Sequence, residues 1–417
     1  MLELTSSTDK AALNRLFTRR RRRLGRAEAV VGPILEAVRK RGDRALLRYA
    51  RQMDGLTARG VRVPPEVLRR AAAGLPKDFC RALVTARRQV RRYAELQMPR
   101  SWTKRSRPGV KLGQLVRPIE SVAAYVPGGR YPLPSTLMMT VVPAQVVGVK
   151  VISAASPQPT NETLGAAGLL GVENFFNMGG AQAIAAFAFG TETVPRAQRI
   201  VGPGNIYVAA AKKLLAGDVG IDFVAGPTEI VLIAPDGDPR LLAADMLAQA
   251  EHDVDASAIL LTRSKRLAGR VAAEINRQLS TLPTRATAAK SIAKNGTIVV
   301  TRSIDEAFEI ANRFAPEHLW IPEESLLSKV QNAGSVFVGA WSPEAAGDYA
   351  SGPNHVLPTG GAAALRGGLS VFDYLKIISV QQLEAAGLRR LAPSILTLAR
   401  AEGLEAHARS IEVRLHA

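Results

Sequence analysis

The sequence predicts an α/β protein in which parallel β-strands alternate with crossover helices. From about residue 115, short runs rich in β-branched and small apolar residues alternate with glycine or proline turns and alanine-rich helical segments. That order is typical of a parallel sheet. A mainly helical region precedes it, from residue 8 to about residue 100. With 417 residues the chain exceeds one ordinary core, so two or more domains are expected.

The helical prediction for residues 8–100 depends on the spacing of apolar side chains. Val31, Ile34, Leu35 and Val38 recur at intervals of three and four residues, as on the buried face of an amphipathic helix. The two prolines at 64–65 mark a helix start, where the missing N–H of proline leaves no hydrogen bond unmade. The segment is therefore predicted to contain several helices.

The α/β region contains two series of elements followed by further strands. The first series has predicted strands at 122–126 and 149–154 and helices at 136–148 and 162–170. The second has strands at 175–178 and 199–201 and helices at 181–189 and 206–215. Strands at 230–234, 258–262 and 297–300 continue the pattern, and the stretch from about 371 is predicted to be helical. Strands separated by helices favour parallel pairing.

Composition narrows the classes of protein to be considered. The chain is 47% hydrophobic and contains 35 Gly and 25 Pro, which is typical of a folded globular protein. No secretory signal is recognisable at the N-terminus, and no apolar run reaches the roughly 18 residues of a membrane span. Cys80 is the only cysteine, so intramolecular disulfides and thiolate-cluster metal sites are excluded. We expect a cytoplasmic protein with no membrane partner.

The net charge of +19 is concentrated near the N-terminus. Residues 1–110 contain 28 Lys and Arg against 9 Asp and Glu, which accounts for the whole excess, and the run Arg19–Arg23 is its densest part. Such a region either binds a polyanion such as nucleic acid or forms a solvated helical face. No recognised nucleic-acid-binding motif accompanies the charge, so we expect the second interpretation.

Three glycine turns occur where a strand would lead into a helix, at Tyr125–Gly129, Gly179–Gln182 and Gly202–Asn205. Glycine lets a backbone approach a phosphate closely, and a helix N-terminus supplies free N–H groups and partial positive charge. None of the turns matches the Gly-x-Gly-x-x-Gly or P-loop pattern, and single turns of this kind are commonly structural. Three of them within about 80 residues favour an anion or dinucleotide site.

Four of the five histidines lie in short polar motifs, at Gln249–His252, Glu317–His318, Asp348–His355 and Glu402–His407. Histidine is the commonest metal ligand and titrates near neutrality, so these motifs indicate a metal and proton-transfer site. The spacing of three in the first motif lets both side chains leave one face of a helix. A neighbouring carboxylate makes the second a candidate general base. Each motif alone also fits an ordinary helix end or an exposed pair, and spacing does not show that the four meet.

Taken together, the motifs resemble those of the histidinol dehydrogenase family. The matches run in order from about residue 28 to Leu415 and are far more specific together than any one of them. They are Tyr-Val-Pro-Gly-Gly at 125–129, Pro-Leu-Pro-Ser-Thr at 132–136, Gly-Gly-Ala-Gln-Ala-Ile at 179–184, Val-Gly-Pro-Gly-Asn-Ile-Tyr-Val at 201–208, Gly-Asp-Val-Gly-Ile-Asp at 217–222, Gln-Ala-Glu-His at 249–252, Ala-Pro-Glu-His-Leu at 315–319, Gly-Asp-Tyr-Ala-Ser-Gly at 347–352, Asn-His-Val-Leu-Pro-Thr at 354–359 and Glu-Gly-Leu-Glu-Ala-His-Ala-Arg at 402–409.

The resemblance implies an enzyme that uses one zinc ion per subunit and two NAD to oxidise L-histidinol through L-histidinal to L-histidine. These are the last steps of histidine biosynthesis. It also implies two Rossmann-like domains, one inserted in the other, and a homodimer whose sites are completed across the interface. We therefore predict a basic segment at 1–27, a first domain at 28–124 and 230–370, a second domain at 125–229, and a helical C-terminal element at 371–417 that contributes to the partner's site.

By the same resemblance, the zinc ligands are Gln249, His252, Asp348 and His407, and zinc holds and orients the substrate. His318 removes the alcohol proton while hydride passes to NAD, and Glu317 activates the water that attacks the aldehyde. The residues implied to bind NAD are Tyr125, Gln182 and Asn205. Those implied to contact the substrate are Thr228, Gln249, His252, His318, Asp348, His355, Glu402 and His407, of which Glu402 and His407 come from the partner subunit.

Two positions depart from the usual family pattern. Thr228 stands where histidinol-oxidising members usually have Ser, and Pro353 stands where they usually have Thr or another residue. Related enzymes that oxidise other small alcohols, such as sulfopropanediol, also tend to carry Thr at the first position and an Arg-Tyr pair like that at 130–131. Because Glu229, Tyr349 and residues 132–136 look more like the histidinol branch, histidinol oxidation is the prediction. A paralogous zinc- and NAD-dependent dehydrogenase is the alternative.

Overall fold

The computed structural model describes residues 2–19, 24–128 and 132–416, except for the side chain of Arg19. Most of the arginine run, at 20–23, and Gly129 with the Arg-Tyr pair at 130–131 lie outside the described residues. Among the residues that are described, no helix has the length and apolar character needed to cross a membrane.

Helices dominate the N-terminal part of the described chain and recur between the later strands. They are α1 (Lys10–Arg19), α2 (Gly25–Met53), α3 (Pro65–Ala73), α4 (Lys77–Gln97), α5 (Pro134–Val147), α6 (Asn161–Leu169), α7 (Gly180–Phe189), α8 (Ile206–Leu215), α9 (Pro239–Ala250), α10 (Lys265–Leu279), α11 (Arg285–Asn295), α12 (Ile304–Phe314), α13 (Glu344–Tyr349), α14 (Ala385–Ala401) and α15 (Glu405–Leu415). Short 3-10 helices lie at Glu324–Lys329, Ala362–Ala364 and Val371–Tyr374. The predicted proline start is confirmed, since Pro65 is the first residue of α3.

The strands pair into three sheets. They are β1 (Glu3–Ser6), β2 (Arg62–Val63), β3 (Trp102–Arg107), β4 (Val110–Pro118), β5 (Ser121–Tyr125), β6 (Val151–Ala155), β7 (Asn174–Phe176), β8 (Arg199–Val201), β9 (Gly220–Ile221), β10 (Glu229–Ile233), β11 (Ser257–Thr262), β12 (Thr297–Val300), β13 (His318–Ile321), β14 (Ser335–Val338) and β15 (Leu375–Leu383). The first sheet has the order β1-β12-β11-β10-β13-β14 with parallel pairs throughout. The second has the order β2-β7-β6-β5-β8-β9 and is parallel except at β2. The predicted α/β class is confirmed.

Helices cover both faces of the first sheet, so its strands are apolar on both sides. Every residue of β10 is buried, as expected for the centre of a parallel sheet. Ile230 and Leu232 belong to the core formed with α9, α10 and α11. Val231 and Ile233 belong to the core formed with α12 on the opposite face. The alternation follows from the two-residue period of a strand.

The second sheet is covered by the helices of the N-terminal region. The apolar side of α2 packs with α7 and α8 on one face, and α3 and α4 pack with α5 and α6 on the other. Helices α2, α3 and α4 therefore pack with the second sheet, although the predicted domain boundaries placed residues 28–124 with the first. The strand that does join the first sheet from the N-terminal region is β1, which pairs with β12. The sheet with which each N-terminal element packs is therefore decided by a shared apolar core or strand pairing, and not by the order of the elements along the chain.

The third sheet was not predicted. It is antiparallel, has the order β15-β4-β3, and contains the strand β15 within the C-terminal element that was predicted to be helical from residue 371. After the 3-10 helix at Val371–Tyr374, the β-branched residues Ile377, Ile378 and Val380 favour a strand. The first α-helix of the C-terminal element is α14. The C-terminal element is therefore a strand followed by two packed helices.

Candidate active site

A cavity of about 660 Å³ lies between the first and second sheets. Thr228 and Glu317, which line it, immediately precede β10 and β13. Pro127 and Pro203, on the other side, follow β5 and β8. The cavity is therefore bordered by the amino ends of the first sheet's strands and the carboxyl ends of the second sheet's strands, so neither sheet forms it alone.

Most of the site residues predicted from the sequence converge on this cavity. Those that line it are Asn205, Thr228, His252, Glu317, His318, Asp348 and His355. Three of the four histidine motifs thus meet in space within one chain, which their spacing could not establish.

Glu317 and His318 are positioned by the start of β13. Helix α12 ends in Ala315, whose φ of 48° turns the chain sharply, and His318 is the first residue of β13, paired with Ile230 of β10. Because β13 lies inside the sheet, both side chains are buried, with Glu317 6% and His318 3% exposed. The alternative of an exposed helix-start pair is therefore wrong.

Glu317 is a carboxyl group held by two neighbours. Its Oε2 accepts a hydrogen bond of 3.0 Å from the backbone N–H of Glu229 and lies 2.5 Å from Thr228 Oγ1. Burial raises the pKa of Glu317 well above its usual range, because a charged carboxylate is poorly solvated there. Glu317 is thus suited to exchange a proton near neutral pH.

His318 presents Nδ1 to the protein interior. Nδ1 lies 3.3 Å from the Glu229 carbonyl oxygen and 3.3 Å from Glu344 Oε1. The ring also packs at a tilt against Phe337, with centroids 5.9 Å apart. Burial lowers the pKa of His318 to about 4, so the imidazole is neutral at pH 7 and available to accept a proton.

His252 and Asp348 form the centre of a candidate metal site. His252 Nε2 lies 3.6 Å from Asp348 Oδ2. His252, Asp348 and Glu344 each offer one ligand atom, and these atoms all lie within 4.8 Å of one another. The hydrogen bond to Asp348 raises the pKa of His252. Burial acts to raise the pKa of Asp348, but His252, His355 and His318 lower it overall. Imidazole and carboxylate donors of this kind suit zinc.

Gln249 lies in the last turn of α9 and is fully buried. Its amide faces the two oxygens of Glu344, which are acceptors, so the nitrogen belongs on that side, 2.9 Å from Oε2. The amide oxygen then lies 2.7 Å from Thr228 Oγ1, on the cavity side, where it can serve as a ligand. His252 lies beyond the end of α9, so Gln249 and His252 do not leave one face of a helix, which their spacing had allowed, and the motif lies at a helix end.

Glu344 is a site residue that the sequence did not reveal. It is the first residue of α13, 2% exposed, and in contact with His318 and Gln249. Burial and the nearby Asp348 and Glu317 raise its pKa well above the usual range. Pro343 before it marks a helix start, but nothing in the local pattern indicates that the glutamate points inward.

His355 bridges the two sides of the cavity. Its Nδ1 lies 2.8 Å from the Asp348 carbonyl oxygen, and its Nε2 lies 3.1 Å from Thr136 Oγ1 on α5. Burial lowers the pKa of His355. Both ring nitrogens therefore already have protein partners, and a substrate contact would replace or extend one of them.

The three residues implied to bind NAD differ in accessibility. Asn205 lines the cavity and caps α8, with Oδ1 accepting from the N–H groups of Tyr207 and Val208. Tyr125 and Gln182 lie deeper, 2% and 0% exposed. Tyr125 Oη accepts from the N–H of Gly180, and burial raises the pKa of Tyr125 to about 12.

The turn at the start of α7 leaves one polar atom available. Gln182 Nε2 donates to Asp54 Oδ2 at 3.0 Å, and the N–H of Gly179 donates to the same oxygen at 2.9 Å. Gln182 Oε1 is buried and has no hydrogen-bond partner among the described residues. An orphaned acceptor beside a helix N-terminus fits a cofactor that supplies a donor, although this turn does not itself line the cavity.

Glu402 and His407 are predicted site residues that are exposed and do not line the cavity of their own chain. Glu402 follows the last residue of α14 and His407 lies on α15, both exposed to solvent. Within the described residues, one chain therefore brings together Gln249, His252 and Asp348 but not His407.

Comparison with known proteins agrees with the geometry. A family model described as "Histidinol dehydrogenase" matches residues 17–415. The chain is 51% identical to histidinol dehydrogenase of Thermus thermophilus, covering 93% of this chain and 94% of that one. It is 47% identical to that of Geobacter sulfurreducens, covering 93% of each. The crystal structure of histidinol dehydrogenase from Elizabethkingia anophelis superposes with a TM-score of 0.95 at 33% identity, covering 100% of this chain and 98% of that one.

Proposed function

Because this chain belongs to the histidinol dehydrogenase family, we propose that the cavity between its two parallel sheets oxidises L-histidinol through L-histidinal to L-histidine with two NAD. The family makes the chain a zinc-containing, NAD-dependent oxidoreductase of histidine biosynthesis. The observation that carries the assignment to this cavity is the buried pair Glu317 and His318 beside the candidate metal residues His252 and Asp348.

In the first oxidation, His318 accepts the hydroxyl proton of L-histidinol. Its neutral imidazole is ready to do so because burial lowers its pKa to about 4. NAD, when bound, takes the hydride from the carbon that carries the hydroxyl. Zinc, when bound by Gln249, His252 and Asp348, supplies positive charge that holds and orients the substrate.

In the second oxidation, Glu317 accepts a proton from the water that adds to the aldehyde. A buried carboxylate with a raised pKa is a stronger base than an exposed one once it is ionised. The N–H of Glu229 and the hydroxyl of Thr228 hold that carboxyl in place. Loss of hydride from the hydrated aldehyde, for which a second NAD would be the acceptor, would leave the product as a carboxylate.

The chemistry of Thr228 is compatible with histidinol. Thr228 retains the hydroxyl of the more usual Ser and uses it in contacts with Glu317 and Gln249. The relatives described above are histidinol dehydrogenases, which gives no support to the alternative of a sulfopropanediol-type substrate.

The test of this function is the number of NADH formed per substrate consumed by zinc-loaded protein. We expect two NADH per L-histidinol, with L-histidine as the product. Sulfopropanediol assayed in parallel serves as the control for the alternative. One NADH per histidinol would limit the chain to the first oxidation, and turnover of the diol alone would overturn the substrate.

We further propose that the site is completed by a second copy of the chain. The family resemblance implies four protein ligands for zinc, Gln249, His252, Asp348 and His407, of which one chain brings together only the first three. His407 and Glu402 are exposed on the C-terminal helices. Nearby, Leu398 is 62% and Val413 68% exposed, as expected of a face that another protein surface covers.

Mixing two inactive variants tests the shared site. In a dimer, a chain with His318→Ala and a partner with His407→Ala form one intact site and one doubly altered site. After random exchange of subunits, activity should recover to about a quarter of the wild-type value, because half the dimers are mixed and half their sites intact. No recovery despite proven exchange would contradict the proposal.

We also propose that the basic N-terminal region is a solvated surface without a nucleic-acid role, in a cytoplasmic enzyme. Part of the charge is already paired locally, as in the Arg15–Glu3, Lys40–Glu36 and Arg91–Glu95 contacts. Fluorescence anisotropy with labelled RNA and DNA should show no binding at physiological salt. Salt-dependent binding that disappears when residues 1–27 are removed would contradict the proposal, and cell fractionation tests the location.

A further inference from the structure

Glu344 lies behind the cavity, between the proposed base and a proposed metal ligand. It is 2% exposed and begins α13 immediately after Pro343. It is absent from the residues that line the described cavity. Glu344 therefore contacts His318 and Gln249 from the protein interior and does not line the cavity in which the substrate is proposed to bind.

The carboxyl group of Glu344 meets two N–H donors. Its Oε1 lies 3.3 Å from His318 Nδ1 and also contacts the amide nitrogen of Gln249, which lies 2.9 Å from Oε2. The same amide nitrogen also lies 3.3 Å from His318 Nδ1, but its contacts with the two Glu344 oxygens are shorter and account for both of its hydrogens, so Nδ1 can itself donate to the Glu229 carbonyl or to Glu344. A carboxyl group has enough lone pairs to accept from both.

The surroundings of Nδ1 determine where the imidazole carries its hydrogen. Besides Glu344 Oε1, the Glu229 carbonyl oxygen lies at 3.3 Å and Glu317 Oε2 at 3.8 Å. Three acceptors around Nδ1 favour the tautomer with hydrogen on Nδ1. Nε2 then carries the lone pair, and it has no hydrogen-bond partner among the described side chains.

The same carboxyl group determines which way the Gln249 amide points. With its nitrogen against Glu344, the amide places its oxygen 2.7 Å from Thr228 Oγ1, on the cavity side. Rotating the amide would turn a nitrogen toward the metal position, and an amide nitrogen with its hydrogens is not a ligand for zinc.

We propose that Glu344 is a positioning residue that fixes both the Nδ1–H tautomer of His318 and the ligand orientation of Gln249. The proposal rests on the proposed function in taking His318 as the base and Gln249 as a ligand. The Glu344 side chain then sets both the protonated nitrogen of His318 and the orientation of the Gln249 amide, because hydrogen-bond partners of metal ligands fix ligand tautomer and orientation. Replacing Glu344 should disturb both.

Nitrogen NMR of zinc-loaded protein labelled with ¹⁵N-histidine reads the tautomer directly. The chain has five histidines, so the spectrum is simple, and His318→Ala identifies the signals of His318. In the wild type we expect His318 to carry hydrogen on Nδ1. In Glu344→Leu we expect a shift to Nε2–H or to a mixture, together with zinc binding weaker by about 10- to 100-fold and a lower kcat at saturating zinc, NAD and substrate.

A second variant covers the case in which Glu344→Leu does not fold. Glu344→Gln is isosteric but offers one acceptor oxygen in place of two. We expect this variant to lose either the Nδ1–H tautomer of His318 or native zinc affinity. Glu324→Gln, an exposed glutamate replaced in the same way, should lose neither. Native tautomer and native zinc affinity in the Glu344 variants that fold would overturn the proposal. Because neither measurement requires turnover, this failure is distinguishable from failure of the proposed function, which would appear as full activity in His318→Ala.

Discussion

The two walls of the cavity have opposite chemical character. The ionisable side chains among the described lining residues all come from the first sheet and the segments around it: Glu229, His252, Asp253, Asp255, Lys294, Glu317, His318, Asp348, Tyr349 and His355. On the wall from the second sheet, the lining residues that the structure describes, which exclude 129–131, are all neutral: Pro127, Leu133, Ser135, Thr136, Pro203, Gly204, Asn205 and Ile206. The proposed proton-transfer residues and the proposed metal ligands His252 and Asp348 all lie on the first wall, which leaves the second wall for the proposed contacts with NAD.

The ends of the helices match this division. On the neutral wall, the N-termini of α5 and α8 meet the cavity through Ser135, Thr136 and Asn205, and helix N-termini carry partial positive charge that attracts anions such as a pyrophosphate. On the ionisable wall, α9 and α11 end beside the cavity. Helix C-termini carry partial negative charge and favour cations. The walls therefore suit an anionic cofactor and a metal ion respectively.

The largest predicted effect is on the ionisable wall, at His318. His318→Ala should reduce kcat by about 10²- to 10⁴-fold, the usual contribution of a general base. Zinc content should stay at the wild-type value because His318 is not an implied ligand. Steady-state kinetics and metal analysis of one preparation check both. Wild-type turnover would show that the base lies elsewhere.

A second change on this wall separates metal binding from proton transfer. His252→Ala should weaken zinc binding at least about 100-fold, since it removes a ligand and not only a supporting contact. His416→Ala, at an exposed histidine outside the motifs, is the matched control and should keep its zinc. Full occupancy in His252→Ala, measured by competition with a chelator, would exclude it as a ligand.

On the neutral wall we expect a smaller effect, on binding and not on chemistry. Asn205→Ala removes one hydrogen-bonding group, so the KM for NAD should rise by roughly tenfold with kcat nearly unchanged. It also removes the cap of α8, which should lower the free energy of unfolding by about 1 kcal/mol. Asn205→Asp keeps the cap but adds negative charge, so it should retain stability while weakening NAD binding. If Asn205→Ala lowered kcat as much as His318→Ala does, the neutral wall would take part in the chemical step, and the proposed division between the two walls would be wrong.

The smallest expected effect is in the pH dependence of kcat/KM. Because the pKa of His318 is lowered to about 4, its neutral, proton-accepting form predominates above that pH and is lost only as the pH falls toward it. Zinc-loaded protein should therefore show no loss of kcat/KM that is due to His318 between about pH 8 and pH 6. An acid limb centred near pH 6.5, with zinc content constant, would show an ordinary exposed histidine as the base.

The sequence predicted the chemistry of the site better than its geometry. Glu317, His318, Asp348 and His355 were found because polar residues stand close together in apolar or small-residue surroundings. Their burial, and hence the opposite pKa shifts of Glu317 and His318, depends on the neighbouring strands and could not be predicted from spacing.

Other features had weak local signals or none. Glu344 is a lone glutamate that becomes significant only where α13 folds back on β13. The strand β3 is exposed throughout, so it lacks the apolar alternation that marks a half-buried strand. The proposed placement of His407 in the site of a partner requires a second chain, which no pattern within one sequence encodes.

The pairing of β1 with β12 has a consequence for synthesis of the protein. Residues 3–6 pair with residues 297–300, so at ribosomal rates the first strand waits roughly 15–60 s for its neighbour to be made. The second sheet, whose strands lie between Arg62 and Ile221, is complete well before then. The chain segments that form the neutral wall are thus synthesised before those that complete the first sheet and its ionisable wall. Until β12 has been made, β1 is an unpaired edge strand that a chaperone or another nascent chain can bind.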